Sequence, residues 1–216
     1  VHCRAARPLR AVAAVSLPSV HDHPSVSLLL PVLNEAATLE ACLDSIADQD
    51  YVGSVELIVA DGGSTDGTLD LLAGRSDQAR VLDNPDRVQS LGVNRAAKVA
   101  QGEILIRVDA HTTYSPDYVT RSVEALKNSG AVAAGGPMRP EGTTPFGRAV
   151  AAAMGSKIAI GPGRFHHAED GAQTVDTVYL GAFRRSDFLA IGGYRSFPSG
   201  VAEDADLFFR WRSEGK

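Results

Sequence analysis

Three short groups of polar residues in this sequence have types and spacings that could support chemistry: Asn34 with Glu35, Asp61, and Asp109 with His111. The Asp61 carboxylate could accept hydrogen bonds from a base N–H or a ribose hydroxyl, or it could only stabilise the Gly-Gly turn that follows it. Asp109 and His111 are two residues apart, so both can reach a divalent metal ion that bridges phosphate oxygens. One carboxylate with one imidazole suits Mn²⁺ somewhat better than Mg²⁺, which prefers oxygen ligands alone.

A fourth acidic group, Glu203 and Asp204, lies where the last predicted helix begins. Acidic residues in a first turn are ordinary features of helices, because the helix N-terminus favours negative charge. The same effect would keep Asp204 ionised, and an ionised aspartate can act as a general base toward an alcohol. Both interpretations fit the sequence equally well.

Apolar segments alternate with helix-like segments from residue 26 onward and determine where the polar groups lie. The first four predicted strands are 26–32, 55–60, 81–82 and 103–108, and two more are predicted at 131–134 and 175–183. The first is a nearly unbroken apolar run, which is typical of a strand buried on both faces. The alternation predicts an α/β fold with a mostly parallel sheet and helices on both faces. Ligands of such sheets bind at the carboxyl edge of the strands, so the polar groups should meet there.

Composition predicts the boundaries of the domain and of its regular part. Residues 1–24 combine arginine, proline and a short apolar run, and we expect them to form a disordered tail before a domain at 25–216. Gly102 is expected to end a helix in the left-handed conformation. Residues 135–174 are rich in Gly, Pro, Arg and His, and we expect an irregular segment of functional importance there.

Several functional classes are excluded by what the sequence lacks. The first strand ends in the segment Pro31–Glu35, which contains no glycine, and this argues against a dinucleotide-binding loop and a P-loop. The net charge of -5 gives no reason to expect a nucleic-acid partner. Cys3 and Cys42 cannot form a disulfide framework, so a reducing, cytoplasmic location is expected.

The motifs, taken in order, resemble those of the family 2 glycosyltransferases, which have the GT-A fold. The matching segments are Leu28–Pro31 with Asn34-Glu35, Leu57–Thr68, Asn94 with Ala100 and Gly102, Asp109-Ala110-His111, Phe183-Arg184-Arg185, Gly192-Gly193-Tyr194 and Glu203-Asp204. The resemblance covers residues 25–216. Within the family, the sequence looks most like bacterial succinoglycan-type exopolysaccharide enzymes.

The resemblance implies an inverting transfer from a nucleotide-sugar donor, with a bias to UDP, to a saccharide or lipid-linked acceptor. Asp204 would be the catalytic base, with Glu203 on the acceptor side. Asp109 and His111 would hold Mn²⁺ or Mg²⁺, although the family usually has an aspartate where His111 stands. The residues that would bind the nucleotide sugar are Pro31, Glu35, Asp61 and Asp109. Arg87 could also reach the nucleotide or could be a solvated loop charge.

The resemblance also implies that the domain continues beyond Lys216 and associates peripherally with the inner face of the cell membrane through the following region. Two alternatives stay open. A sugar-nucleotide nucleotidyltransferase shares the architecture but would carry a Gly-rich, basic loop after its first strand. A catalytically weak nucleotide-sugar-binding module would be consistent with His111 at the metal position.

Overall fold

The protein forms one six-stranded sheet flanked by helices, and the computed structural model describes residues 23–136, 140–142, 144–154, 177–197 and 202–215. The strands are β1 Val26–Val32, β2 Val55–Asp61, β3 Ala79–Asp83, β4 Ile104–Arg107, β5 Ala133–Gly136 and β6 Tyr179–Arg184. The helices are α1 Leu39–Ala47, α2 Thr68–Ala73, α3 Gln89–Val99, α4 Tyr118–Ser129, α5 Pro145–Met154, α6 Arg185–Ala190 and α7 Glu203–Ser213. Within these described ranges, no helix is long and apolar enough to span a bilayer.

The strand order, β3-β2-β1-β4-β6-β5, places the first and fourth strands next to each other at the centre of the sheet. β1 pairs in parallel with both β2 and β4, and β6 runs antiparallel to both β4 and β5. The chain therefore moves outward from β1 in one direction and from β4 in the other. Such a switch point opens a crevice at the carboxyl ends of the two central strands, where ligands of α/β sheets bind.

Side chains alternate between the two faces of the central strands, and each face has its own apolar core. Leu28 and Leu30 of β1 face the core shared with α1 and α4, whereas Leu29 faces the core shared with α3, α6 and α7. All seven residues of β1 are buried. A strand covered by helices on both sides has no solvent-facing side, which explains its unbroken apolar sequence.

Gly102 was expected to end a helix in the left-handed conformation, and this expectation is wrong. α3 ends at Val99, and Gly102 does not adopt a left-handed backbone. A Cβ atom at Gly102 would lie 2.5 Å from the backbone nitrogen of Ser27, so glycine is required by close packing against β1. The Gly102 N–H donates to the Ser27 hydroxyl at 2.9 Å, at the amino edge of the sheet, opposite the polar groups.

The prediction of an irregular segment over 135–174 is wrong for residues 145–154, which form α5. Pro145 opens this helix, and proline is favoured in a first helical turn because it lacks only a backbone donor that would be unpaired there. The alanines that follow are strong helix formers. Most of the rest of that segment lies outside the described residues, as do residues 1–22 of the predicted tail. At the end of the predicted tail, the Pro24 carbonyl accepts a hydrogen bond from the Tyr51 hydroxyl at 2.6 Å.

Candidate active site

The loops after β1 and β2 are joined by hydrogen bonds at the carboxyl edge of the sheet. The Asn34 N–H donates to the Ser64 hydroxyl at 2.9 Å, and the Asn34 side-chain oxygen accepts from the Thr65 N–H at 2.8 Å. Asn34 has a φ of 57°, a left-handed conformation that asparagine tolerates better than most residues. The loop can therefore turn back toward β2 at this position.

A second set of bonds connects the next residues of the same two loops. The Glu35 N–H donates to the Thr68 hydroxyl at 2.9 Å, and the Ala36 N–H donates to the Asp66 carboxylate at 3.0 Å. The Asp66 carboxylate also accepts from the Thr68 hydroxyl at 2.6 Å. This hydrogen bond from Thr68, more than any other contact, lowers the pKa of Asp66.

Asp61 ends β2 and is buried, with 5% of its surface exposed. Its carboxylate accepts hydrogen bonds from the Gly63 N–H at 2.8 Å and from the Ser64 hydroxyl at 2.5 Å. The Ser64 N–H lies 3.1 Å from the same carboxylate. Asp61 therefore fixes the turn that begins the loop after β2, and its contact with a nucleobase stays a prediction.

Asp109 lies after β4 and is held through its backbone as well as its carboxylate. Its N–H donates to the Tyr114 hydroxyl at 2.7 Å, and that hydroxyl donates to the Asp109 carbonyl at 3.1 Å. The carboxylate oxygen Oδ1 accepts from the Gln89 side chain at 3.2 Å and from the Arg107 Nε at 3.3 Å. Asp109 is 7% exposed, so its position is set by protein contacts rather than by solvent.

His111 lies on the surface beside Glu35, with Nδ1 of the imidazole 3.4 Å from the Glu35 carboxylate. The other oxygen of Glu35 accepts from the Thr38 hydroxyl at 3.0 Å. Glu35 is thus placed to orient the His111 ring, which the sequence interpretation did not foresee. The described residues contain no group of three or more His, Cys, Asp or Glu side chains arranged around a common metal position.

Arg107, the last residue of β4, connects Asp109 to the start of α7. Its Nη1 lies 3.5 Å from the Glu203 carboxylate, and its guanidinium carbon lies 5.9 Å from the centre of the Tyr194 ring. Burial alone would lower the pKa of this guanidinium, but Asp109 and Tyr194 together outweigh burial and raise the pKa. Arg107 is therefore a permanent cation at the centre of the polar edge.

A cavity of about 420 Å³ opens at this point of the sheet edge. Its polar lining includes Gln89, Arg107, Tyr179, Tyr194, Glu203 and Asp204. Glu203 and Asp204 therefore line the same cavity as Gln89 and Arg107, the two side chains that donate to the Asp109 carboxylate. A cavity of this size is within the usual range for small-molecule sites.

Of the eight predicted site residues, Glu203 and Asp204 line this cavity, and six do not: Pro31, Glu35, Asp61, Arg87, Asp109 and His111. Pro31 is buried in β1 and packs close to Gly92 of α3, where a side-chain Cβ in place of the glycine would lie 3.4 Å from the Pro31 Cβ. Arg87 is exposed in the turn before α3. Sequence reasoning missed Gln89 and Arg107. Arg107 could have been found, because a charged residue interrupts the apolar run 104–108.

Residues 27–190 match the family described as glycosyl transferase family 2. The chain belongs to this family. One family relative, the succinoglycan biosynthesis protein ExoA of Rhizobium meliloti (strain 1021), is 37% identical over 194 residues, which are 87% of this chain and 58% of the relative. An N-acetylglucosaminyltransferase of Rhizobium leguminosarum bv. viciae is 28% identical over 205 residues, 89% of this chain and 48% of the relative. The chain spans about half the length of these family 2 relatives.

Solved glycosyltransferase structures share the fold. The mannosyltransferase PcManGT from Pyrobaculum calidifontis, in complex with GDP-Man and Mn²⁺, matches with a TM-score of 0.64 and 23% identity over 88% of this chain and 52% of its own. S. aureus TarS 1-349 in complex with UDP-GlcNAc matches with a TM-score of 0.61 and 16% identity, covering 86% of this chain and 52% of TarS 1-349. The predicted α/β sheet of the GT-A type is confirmed, as is the resemblance to family 2.

Proposed function

We propose that this domain is the catalytic core of an inverting glycosyltransferase that moves a sugar from a UDP-linked donor to a saccharide or lipid-linked saccharide acceptor. One observation carries the proposal. Glu203 and Asp204 share a cavity of about 420 Å³ with Gln89 and Arg107, which both contact Asp109. The two acidic residues suited to the acceptor side are therefore linked to Asp109, the carboxylate suited to the donor side, through the Gln89 and Arg107 side chains that line the cavity.

The donor would bind across the ends of β1, β2 and β4. Asp61 would contact the nucleobase from the turn that its carboxylate stabilises, and Glu35 with Pro31 would border the nucleoside. Arg87 would approach the nucleotide from the turn before α3. The hydrogen bonds between the loops after β1 and β2 support this assignment, because they form a fixed surface before any ligand is present.

Asp109 and His111 would hold a divalent cation, Mn²⁺ or Mg²⁺. The donor set fits such an ion only in part, since one carboxylate and one exposed imidazole leave most coordination positions to substrate oxygens and water. When bound, the ion would neutralise charge on the leaving diphosphate. Glu35 would orient His111 by accepting the Nδ1–H, as carboxylates do for metal-binding histidines in general.

Asp204 would act as the general base for the acceptor hydroxyl. It lies in the first turn of α7, a position where the helix dipole favours acidic side chains. Such a carboxylate is far too weak a base to deprotonate an alcohol beforehand, so proton transfer must accompany attack on the anomeric carbon. A single displacement would convert an α-linked donor into a β-linked product.

The similarity to the succinoglycan biosynthesis protein ExoA supports a role in the synthesis of a cell-surface or secreted polysaccharide, and we propose that the domain acts at the cytoplasmic face of the membrane. The direct test measures nucleoside diphosphate release from UDP-glucose, UDP-galactose, UDP-GlcNAc and GDP-mannose, with Mn²⁺, Mg²⁺ or EDTA. We expect metal-dependent release from one of the UDP-sugars, increased by an oligosaccharide acceptor. Binding of these donors without any release would instead support the binding-module alternative.

A further inference from the structure

Arg107 occupies a position where the fold by itself would favour an apolar residue. Leu105, two residues earlier in β4, packs in the core shared with α3 and α7, and strand alternation places Arg107 on the same face. The Arg107 side chain is 14% exposed. A buried ion pair adds little to stability compared with apolar packing, so stability alone gives no reason for an arginine here.

The contacts of Arg107 join two parts of the site that are far apart in sequence. Its Nε lies 3.3 Å from the Asp109 carboxylate and its Nη1 lies 3.5 Å from the Glu203 carboxylate. The planar guanidinium can reach both carboxylates at once, which the single ammonium of a lysine does less well. Arg107 therefore bridges the donor side of the cavity to the first turn of α7.

The ring beneath Arg107 is itself held in place. Asn94 binds both backbone groups of Tyr194, accepting from its N–H at 2.9 Å and donating to its carbonyl at 2.7 Å. Tyr194 is 4% exposed, and the Arg107 guanidinium lies over the face of its ring. The bridge consequently rests on α3 as well as on β4.

We infer that Arg107 is a positioning residue that ties Asp109 to Glu203 and thereby sets where Asp204 lies relative to the bound donor. The inference rests on the proposed function for its catalytic consequence. Its structural part, the link between β4 and the start of α7, does not depend on any substrate. The two parts can therefore be tested separately.

The structural part is tested by hydrogen exchange in α7, where the Asp206 N–H donates to the Ala202 carbonyl at 3.0 Å. In Arg107→Met, exchange at this amide should be about tenfold faster or more, because one contact that holds the first turn is lost. Arg75→Met removes a surface pair with Asp44, at 2.6 Å, and should leave α7 unchanged. Equal protection of α7 in wild type and Arg107→Met would overturn the link.

The catalytic part is tested by a double-mutant cycle on the rate of nucleoside diphosphate release. Arg107→Met and Glu203→Gln should each lower kcat about 10- to 100-fold, with the donor KM raised only in Arg107→Met, which also loses the Asp109 contact. The kcat of the double variant should be no lower than that of Arg107→Met alone, because both changes break the same contact between Arg107 and Glu203. Multiplying effects would show that the two residues act independently and would overturn the inference.

Arg107→Lys tests the same inference if the Arg107→Met protein does not fold. It keeps the charge but not the two-sided contact, so it should recover donor KM more fully than kcat. Equal recovery of both constants would contradict a positioning role. If wild-type protein releases no nucleoside diphosphate from any donor tested, the proposed function fails, while hydrogen exchange still decides the link between β4 and α7.

Discussion

The two halves of the polar sheet edge are held together in different ways. On the proposed nucleotide side, the loops after β1 and β2 are joined by four hydrogen bonds of 2.8 to 3.0 Å, each donated by a backbone N–H group. On the α7 side, Arg107 meets Asp109 and Glu203 through ion pairs of 3.3 and 3.5 Å between side chains. The nucleotide side is built into the backbone, whereas the α7 side depends on a few charged side chains.

Two of the four described non-glycine residues with positive φ, Asn34 and Ala202, show the same difference. Asn34, on the nucleotide side, has a φ of 57° and uses its side chain in the loop network. Ala202, just before α7, has a φ of 72° without a side chain that could form such a bond. We therefore expect substitutions on the nucleotide side to change binding, and substitutions on the α7 side to change turnover.

The largest effect is expected from Asp204→Asn, which keeps the size of the side chain but removes its basicity. Turnover should fall by on the order of 10²–10⁴, the usual contribution of a general base, while donor affinity changes little. Steady-state kinetics and calorimetry with the same UDP-sugar measure the two quantities. Glu203→Gln should be milder, and normal turnover in Asp204→Asn would remove the base from the mechanism.

The next largest effect is expected on the nucleotide side. Asp61→Ala should weaken UDP binding by about 10- to 150-fold, the range for a hydrogen bond to a charged group. Ser64→Ala is the matched control, because it removes the 2.5 Å bond to Asp61, together with the acceptor for the Asn34 N–H, but leaves the carboxylate in place. Equal losses of affinity in both variants would mean that Asp61 acts only through the turn.

The third prediction concerns the ion that would connect the two halves. His111→Ala should raise the Mn²⁺ concentration needed for half-maximal UDP binding by about 10- to 100-fold. Glu35→Gln should raise it less, because the imidazole remains and only its orientation is weakened. Calorimetric titration with UDP at a series of fixed Mn²⁺ concentrations measures this shift. Full UDP affinity in excess EDTA would refute a role in metal binding for His111 and for Glu35.

The smallest effect is expected at the start of α7. Ala202→Gly removes the clash of a Cβ atom in the left-handed region but adds freedom to the unfolded chain, so the free energy of unfolding should rise by at most about 1 kcal/mol. Asn34→Gly should instead lower it, since the bond to Thr65 is lost. Chemical denaturation of both variants gives the sign, and destabilisation by Ala202→Gly would contradict strain at this residue.

The sequence was informative wherever local pattern alone decides the structure. Strand β1 was predicted at residues 26–32 and lies there, because burial on both faces requires an unbroken apolar run. The bridge through Arg107 was missed because its partner Glu203 is 96 residues away. Gly102 was assigned the wrong reason because the approach of Ser27 depends on packing between strands, which periodicity does not show.

The stereochemistry of the reaction tests the central claim most directly. Proton NMR early in the reaction shows the configuration at the anomeric carbon of the product, which is the glycosylated oligosaccharide or, with water as acceptor, the free sugar. If Asp204 directs a single in-line attack across the cavity from the side opposite the leaving diphosphate, an α-linked UDP-sugar gives a β product. An α product would contradict the account, since it would require either two displacements or attack from the same face.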